Sequence, residues 1–108
     1  MAVFVVEAYV VKPEKQAEFM AYKKKWKKFF VFKEKPLLKE VKSHRLFAQL
    51  FGGNFDGYVE LWEFENLADV EKFFNKMMKS DYMTKLAPEF VSLVVPGTRS
   101  MSIWSSVE

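Results

Sequence analysis

The chain has no cysteine, which excludes disulfides, thiolate nucleophiles and cysteine metal sites outright. Its one histidine, His44, rules out a multi-histidine metal site within a single chain, although two copies could each bring one. The Gly52-Gly53 pair lacks the spacing and the following helix of a phosphate loop. No Ser-His-Asp arrangement can be picked out either. The first apolar run meets Glu7 at once and has no basic segment ahead of it, too short to span a bilayer. Neither a signal peptide nor a membrane anchor is therefore expected, and a cytoplasmic location is the default. No repeat, low-complexity tract or linker divides the 108 residues, the size of one domain.

What is present is apolar and aromatic. Half the residues are hydrophobic and 18% are aromatic, with twelve Phe, four Tyr and three Trp. That load is large for so short a chain, and part of it is expected to be buried against a partner. Charged residues make up 29% with a net charge of +3. Lys and Glu greatly outnumber Arg and Asp, a mixture that suits a thermophilic source and argues little for nucleic acid.

Residues 2–11, AVFVVEAYVV, are β-branched and aromatic and predict a first strand. Side chains alternate along a strand, so Phe4, Val6, Ala8 and Val10 form a wholly apolar face, expected to lie under helices. Val3, Val5, Glu7, Tyr9 and Val11 form a mixed face. Pro13 suits a first helical turn, and Ala17, Phe19, Tyr22, Trp26, Phe29 and Phe30 keep helical spacing to about Phe32. Residues 39–51 alternate imperfectly and predict a second strand. The Gly- and Asn/Asp-rich stretch from Gly52 to Gly57 reads as a hairpin loop, and Tyr58–Phe64 reads as a third strand. Asn66 is a plausible N-cap for a helix carrying Leu67, Val70, Phe73, Phe74, Met77 and Met78. A further short helix, opened by Ser80-Asp81, runs through Tyr82, Leu86, Phe90 and Leu93 with Pro88 inside its pattern, and Pro96-Gly97 ends it. Arg99–Val107 supplies a last strand. The order strand, helix, strand, strand, helix, strand is the split βαβ arrangement of an α+β, ferredoxin-like fold: a four-stranded antiparallel sheet with both helices on one face.

From Tyr58 to Asn66, YVELWEFEN, followed by Ala68, Phe73 and Ser80-Asp81-Tyr82, the chain resembles the dimeric α/β-barrel superfamily, and within it antibiotic-biosynthesis-monooxygenase-like domains. The resemblance implies a homodimer through sheet faces, the two sheets packed into a barrel that encloses the mixed face of strand one. It also implies a cleft between sheet and helices in each subunit. Members include cofactor-independent oxygenases, haem-degrading enzymes and isomerases. The oxygenases use a Trp on the third strand, which here matches Trp62, often with an Asn on the first strand, where this chain has none. Haem-binding members place a His on or after the second helix, and Phe73 to Tyr82 contains none. No cofactor and no metal are accordingly expected.

Trp62 shares a strand face with Tyr58, Glu60 and Phe64, so a carboxylate stands among aromatics, where desolvation would raise its pKa and suit it to abstract a proton. The plainer account is a core Trp, with Glu60 in solvent or paired with a lysine. His44, next to Arg45, could act as a general base or hold an anion near a strand end, or be simply a satisfied strand histidine. Trp62, Glu60 and His44 are thus the catalytic candidates, and Tyr58, Tyr9, Arg45 and Phe74 the ligand-binding ones. If Glu7 is enclosed, Arg45, Arg99 or a lysine should neutralise it. The run Lys23-Lys24-Lys25-Trp26-Lys27-Lys28 could grip phosphates or lipid. Its spacing favours a solvated lysine face partly offset by Glu14, Glu18 and Glu34, hence no nucleic-acid and no membrane partner. Met and Phe residues could line a pocket for a small hydrophobic ligand or fill an ordinary core. Two functions follow: a metal-free oxygenase- or isomerase-like enzyme for a small hydrophobic or aromatic molecule, or a non-catalytic dimeric ligand-binding or interaction module.

Overall fold

The computed structural model describes residues 2–33, 35–53 and 55–108, with residues 32 and 33 described by their backbone alone. The expected counter-charge at Glu34 and the loop position of Asn54 lie outside the described residues. Strand β1 (Val3–Val10) runs through the centre of a four-stranded sheet, between β3 (Gly57–Phe64) and β4 (Ser100–Ser105). Strand β2 (Ser43–Ala48) closes the far edge beside β3, giving the order β2-β3-β1-β4 with every neighbour antiparallel. This is the ferredoxin-like α+β fold that the element order predicts. The second strand is shorter than the expected 39–51, because residues 39–41 are held in the turn that follows the 3-10 segment Lys35–Leu38, with Lys39 N–H bonded to the Pro36 carbonyl and Val41 N–H to the Leu38 carbonyl, and residues 49–51 belong to the loop before β3.

Helix α1 (Gln16–Lys28) follows a short 3-10 turn at Pro13–Lys15 and buries Phe19, Tyr22 and Trp26 against the sheet. Its continuation, Phe29–Lys33, widens into a π-helical turn, with Phe29 and Phe30 both buried. Helix α2 (Leu67–Met78) starts at Asn66, whose side-chain oxygen accepts a hydrogen bond from the Asp69 N–H at 2.9 Å. Asn66→Ala removes that partner from an otherwise orphan donor and is expected to lower stability by about 1 kcal/mol in chemical denaturation. The single helix expected after Ser80 is broken into α3 (Tyr82–Lys85) and α4 (Ala87–Leu93). Pro88 sits at the start of α4, where a missing N–H costs nothing, and it disfavours helical continuation through the residue before it.

Along β1 the residues alternate between buried and half-buried, but in the opposite sense to that expected. Val3, Val5, Glu7 and Tyr9 lie under the helices, and Phe4, Val6, Ala8 and Val10 face away from them. The mixed face can be covered because the helical side provides charged partners for Glu7. The wholly apolar face remains open on the reverse of the sheet, level with Val59 and Leu61 of β3. Trp104 stands opposite Phe4 on that side and is 62% exposed.

Candidate functional site

Three local features assemble the site. Glu7 of β1 and Glu60 of β3 are directly paired across the antiparallel ladder, so both carboxylates point to the helical side of the sheet. After α4 the chain is tied to the end of β1, Lys12 N–H to the Leu93 carbonyl and Val95 N–H to the Val10 carbonyl. That tie brings Arg99, just before β4, beside Glu7, where its Nε donates to Oε2 at 2.7 Å. Lys23 of α1 comes down from the other side, its Nζ 3.3 Å from Glu60 Oε1 and 3.9 Å from the Trp26 ring centroid.

Glu60 is the hub. The Tyr9 hydroxyl donates to its Oε2, and its Oε1 meets Lys23 as well as His44 Nε2 at 2.7 Å. The His44 ring lies between Trp62, 4.2 Å between centroids, and Trp26, at 5.0 Å. Burial alone would push the Glu60 carboxyl up, but the His44 hydrogen bond, the Lys23 charge and the Tyr9 hydroxyl outweigh it and bring the pKa down to about 2. This reverses the expected upward shift: the aromatic surroundings are real, but three donors converge on the carboxylate. Glu7 moves the other way. Burial first, then the charge of Glu60, push its carboxyl up, and Arg99 and Lys23 offset this only in part. Lys23 is pushed down, chiefly by burial.

Next to this charged cluster lies a cavity of about 430 Å³ between the sheet, α1, α2 and the α3–α4 segment. Glu7 and Glu60 are on its floor, Trp62, Phe64, Phe73 and Phe74 on its apolar wall, and the exposed Met78, Met83, Val91 and Met101 at its mouth. Of the residues singled out from the sequence, Trp62, Glu60 and Phe74 line this space. His44 and Tyr9 reach it only through Glu60. Tyr58 packs 4.6 Å from Phe19 and donates to Gln16 Oε1, away from the cavity. Arg45 is on the reverse face of β2, exposed over the Phe47 ring, because alternation sends it opposite to His44. Lys23 does not belong to the solvated lysine face. It falls four residues after Phe19 and three before Trp26, and that i, i+4, i+7 spacing was the available signal that it points inward. Among the described residues no group of three or more His, Asp or Glu could hold a metal ion, and no helix is long and apolar enough to cross a membrane.

Fold and site together define an α+β ferredoxin-like domain with a partly apolar cavity under its helices and a buried ion-pair cluster on the cavity floor. No protein-family model matches the chain, and no curated protein does. Among solved structures it is similar to a NIPSNAP family protein from Agrobacterium tumefaciens, at 13% identity over 100% of this chain and 95% of that one, with a TM-score of 0.77. It is similar to an antibiotic biosynthesis monooxygenase at 14% identity, over 98% of this chain and 99% of that one, with a TM-score of 0.67. A variant of SnoaB, a cofactor-independent oxygenase from Streptomyces nogalater, has 14% identity over 99% of this chain and 94% of that one, with a TM-score of 0.66. The chain therefore has the ferredoxin-like fold of antibiotic-biosynthesis-monooxygenase-like domains.

Proposed function

We propose that the protein binds a small hydrophobic or aromatic molecule in the cavity beneath Trp62 and acts on it as a monooxygenase- or isomerase-like enzyme. We further propose that it works as a homodimer joined through its open sheet faces. The observation that supports binding is the cavity: about 430 Å³, walled by aromatic residues and opening between methionines. Its size falls in the range of roughly 300–1,000 Å³ common to small-ligand sites. Methionine side chains adapt to varied apolar shapes. Trp62 would stack on the ligand and Phe74 would close over it, while Glu60 and His44 would hold the charged floor rigid.

One observation favours a second reading, a non-catalytic ligand-binding module. Glu60 and His44 are bonded to each other in a buried network that holds the Glu60 carboxyl down at about 2, which makes Glu60 a poor proton acceptor.

Calorimetric titration with 2-methylnaphthalene tests binding. The wild type is expected to bind it, and Ala87→Phe, which places a ring at the cavity wall, is expected to weaken it about tenfold or more. Absence of heat with the wild type would remove the cavity as a binding site. An oxygen electrode and chromatography of the recovered probe then separate the two readings: oxygen consumption with bound 2-naphthol, or an isomerised product without it, supports the enzyme, and unchanged probe with no oxygen uptake across aromatic probes that do bind supports the module.

A further inference from the structure

Glu7 and Glu60 face each other across one ladder, yet they are used differently. Both oxygens of Glu60 are engaged, Oε2 by Tyr9 and Oε1 by Lys23 and His44. Glu7 gives Oε2 to Arg99, and among the described residues no hydrogen bond reaches its Oε1. On the same cavity is Tyr22, 1% exposed, whose hydroxyl has no hydrogen-bond partner among the described residues. Tyr82 stands beside it without making a hydrogen bond of normal geometry. A buried hydroxyl left unpaired is destabilising, so natural proteins ordinarily give one a partner. Here, among the described residues, an oxygen acceptor and a hydroxyl donor are left over among the polar groups lining a largely apolar cavity.

We propose that Glu7 Oε1 and the Tyr22 hydroxyl form a subsite for a single neutral hydroxyl on an otherwise apolar ligand, Glu7 accepting its hydrogen bond and Tyr22 donating to its oxygen. The charges around the subsite favour a neutral group. Glu60 from β3 faces Glu7, with Arg99 ahead of β4 and Lys23 from α1 as counter-charges, and Tyr9, Tyr22 and Tyr82 surround it with hydroxyls. The two carboxylates and the two cations offset one another, leaving no net charge to draw in an ion of either sign. Burial pushes the Tyr22 hydroxyl up, and Tyr82, Glu60 and Glu7 push it the same way, so it stays a donor. The burial and Glu60 charge that push Glu7 up make it the readier proton acceptor of the two carboxylates.

The subsite rests on the cavity being a binding site, and calorimetric titration of 2-naphthol against 2-methylnaphthalene keeps the two ideas apart. A methyl group is the more apolar substituent, so a cavity without the subsite prefers 2-methylnaphthalene. With the subsite, the wild type binds 2-naphthol about tenfold or more tightly. Glu7→Gln and Tyr22→Phe are each expected to reduce that preference to about threefold or less, by weakening 2-naphthol more than 2-methylnaphthalene. If Glu7→Gln fails to fold, Tyr22→Phe carries the test, since it removes a single hydroxyl that makes no hydrogen bond of normal geometry among the described residues. Equal binding of the two probes by the wild type, or an undiminished preference in Tyr22→Phe, overturns the subsite alone. Binding of neither probe overturns the cavity reading and the subsite with it.

Discussion

Glu60→Gln is expected to lower the unfolding free energy by about 3–5 kcal/mol, because it leaves the Lys23 ammonium buried without its counter-charge. The side chains of Lys23 and Glu60 are only 13% and 4% exposed, so solvent cannot replace the lost partner as it does at a surface pair. Against a typical total of about 5–15 kcal/mol, this is among the largest effects one substitution could have here. The same change also alters the response to acid. Glu60 has a folded pKa of about 2, below its ordinary value of 4.5. A depressed carboxylate contributes stability above its unfolded pKa and loses it as pH falls through the folded one. That contribution, on the order of 3 kcal/mol, is therefore complete above pH 4.5 and disappears toward pH 2. Glu7, shifted upward, has the opposite sign: ionising it in the folded state is disfavoured, so its part of the stability declines as pH rises above 4.5. Urea denaturation of wild type and Glu60→Gln across this range should show the wild-type loss in acid and a flatter profile in the variant. Lys23→Met combined with Glu60→Leu is expected to be less destabilising than Glu60→Gln, since it removes both charges. A loss under about 1 kcal/mol in Glu60→Gln would mean that the cluster is solvated and not a structural ion pair.

The fold was legible where local signals agreed. The β-branched run of β1, the loop around Gly52-Gly53 and the Asn66 cap each set an element, and Gly52 and Gly53 do adopt the positive φ that glycine allows in the loop joining β2 to β3. Which side of β1 the helices cover was not legible. An alternating strand specifies two faces, not which one a helix covers, and the plain hydrophobic rule chose wrongly because it ignored the possibility of paired charges under the helices. The partners that make Glu7 acceptable there are Arg99, 92 positions away in the chain, and Lys23 on a helix. Those long-range pairs leave no periodic trace. Strand period groups Trp62 with Glu60 on one face, the resemblance singles out Trp62, and helical period puts Phe74 on an apolar stripe, and all three line the cavity; Arg45 was drawn in only by adjacency to His44, although neighbours in a strand point to opposite faces. The direction of the Glu60 shift depended on donors from β1, β2 and α1, which no single segment displays.

The open reverse of the sheet leads to the other large effect. Phe4, Val6, Val59 and Leu61 lie together there, with Phe47 toward one edge and Trp104 toward the other. The described residues span only 21 Å in their thinnest direction, the depth of a sheet with one helical layer, and none of the described helices lies behind the sheet. An apolar sheet face of this extent is ordinarily covered in a soluble protein, and a second copy offers a face of the same shape and chemistry, related by a two-fold axis. Sedimentation velocity at micromolar concentration is therefore expected to give twice the chain mass. Leu61→Lys places an ammonium at the centre of that face, where pairing would strip it of water and bring it close to its symmetry mate. Dimerisation is expected to weaken about 30-fold or more, the scale of a central interface residue. Because Leu61 points away from the helices, the Glu60 cluster and the cavity should survive in the monomer, and 2-methylnaphthalene should still bind it. A wild type that sediments as a single chain at all concentrations would show that the sheet face is not a homodimer interface. A variant that loses both dimer and probe would show instead that the cavity is completed only in the pair.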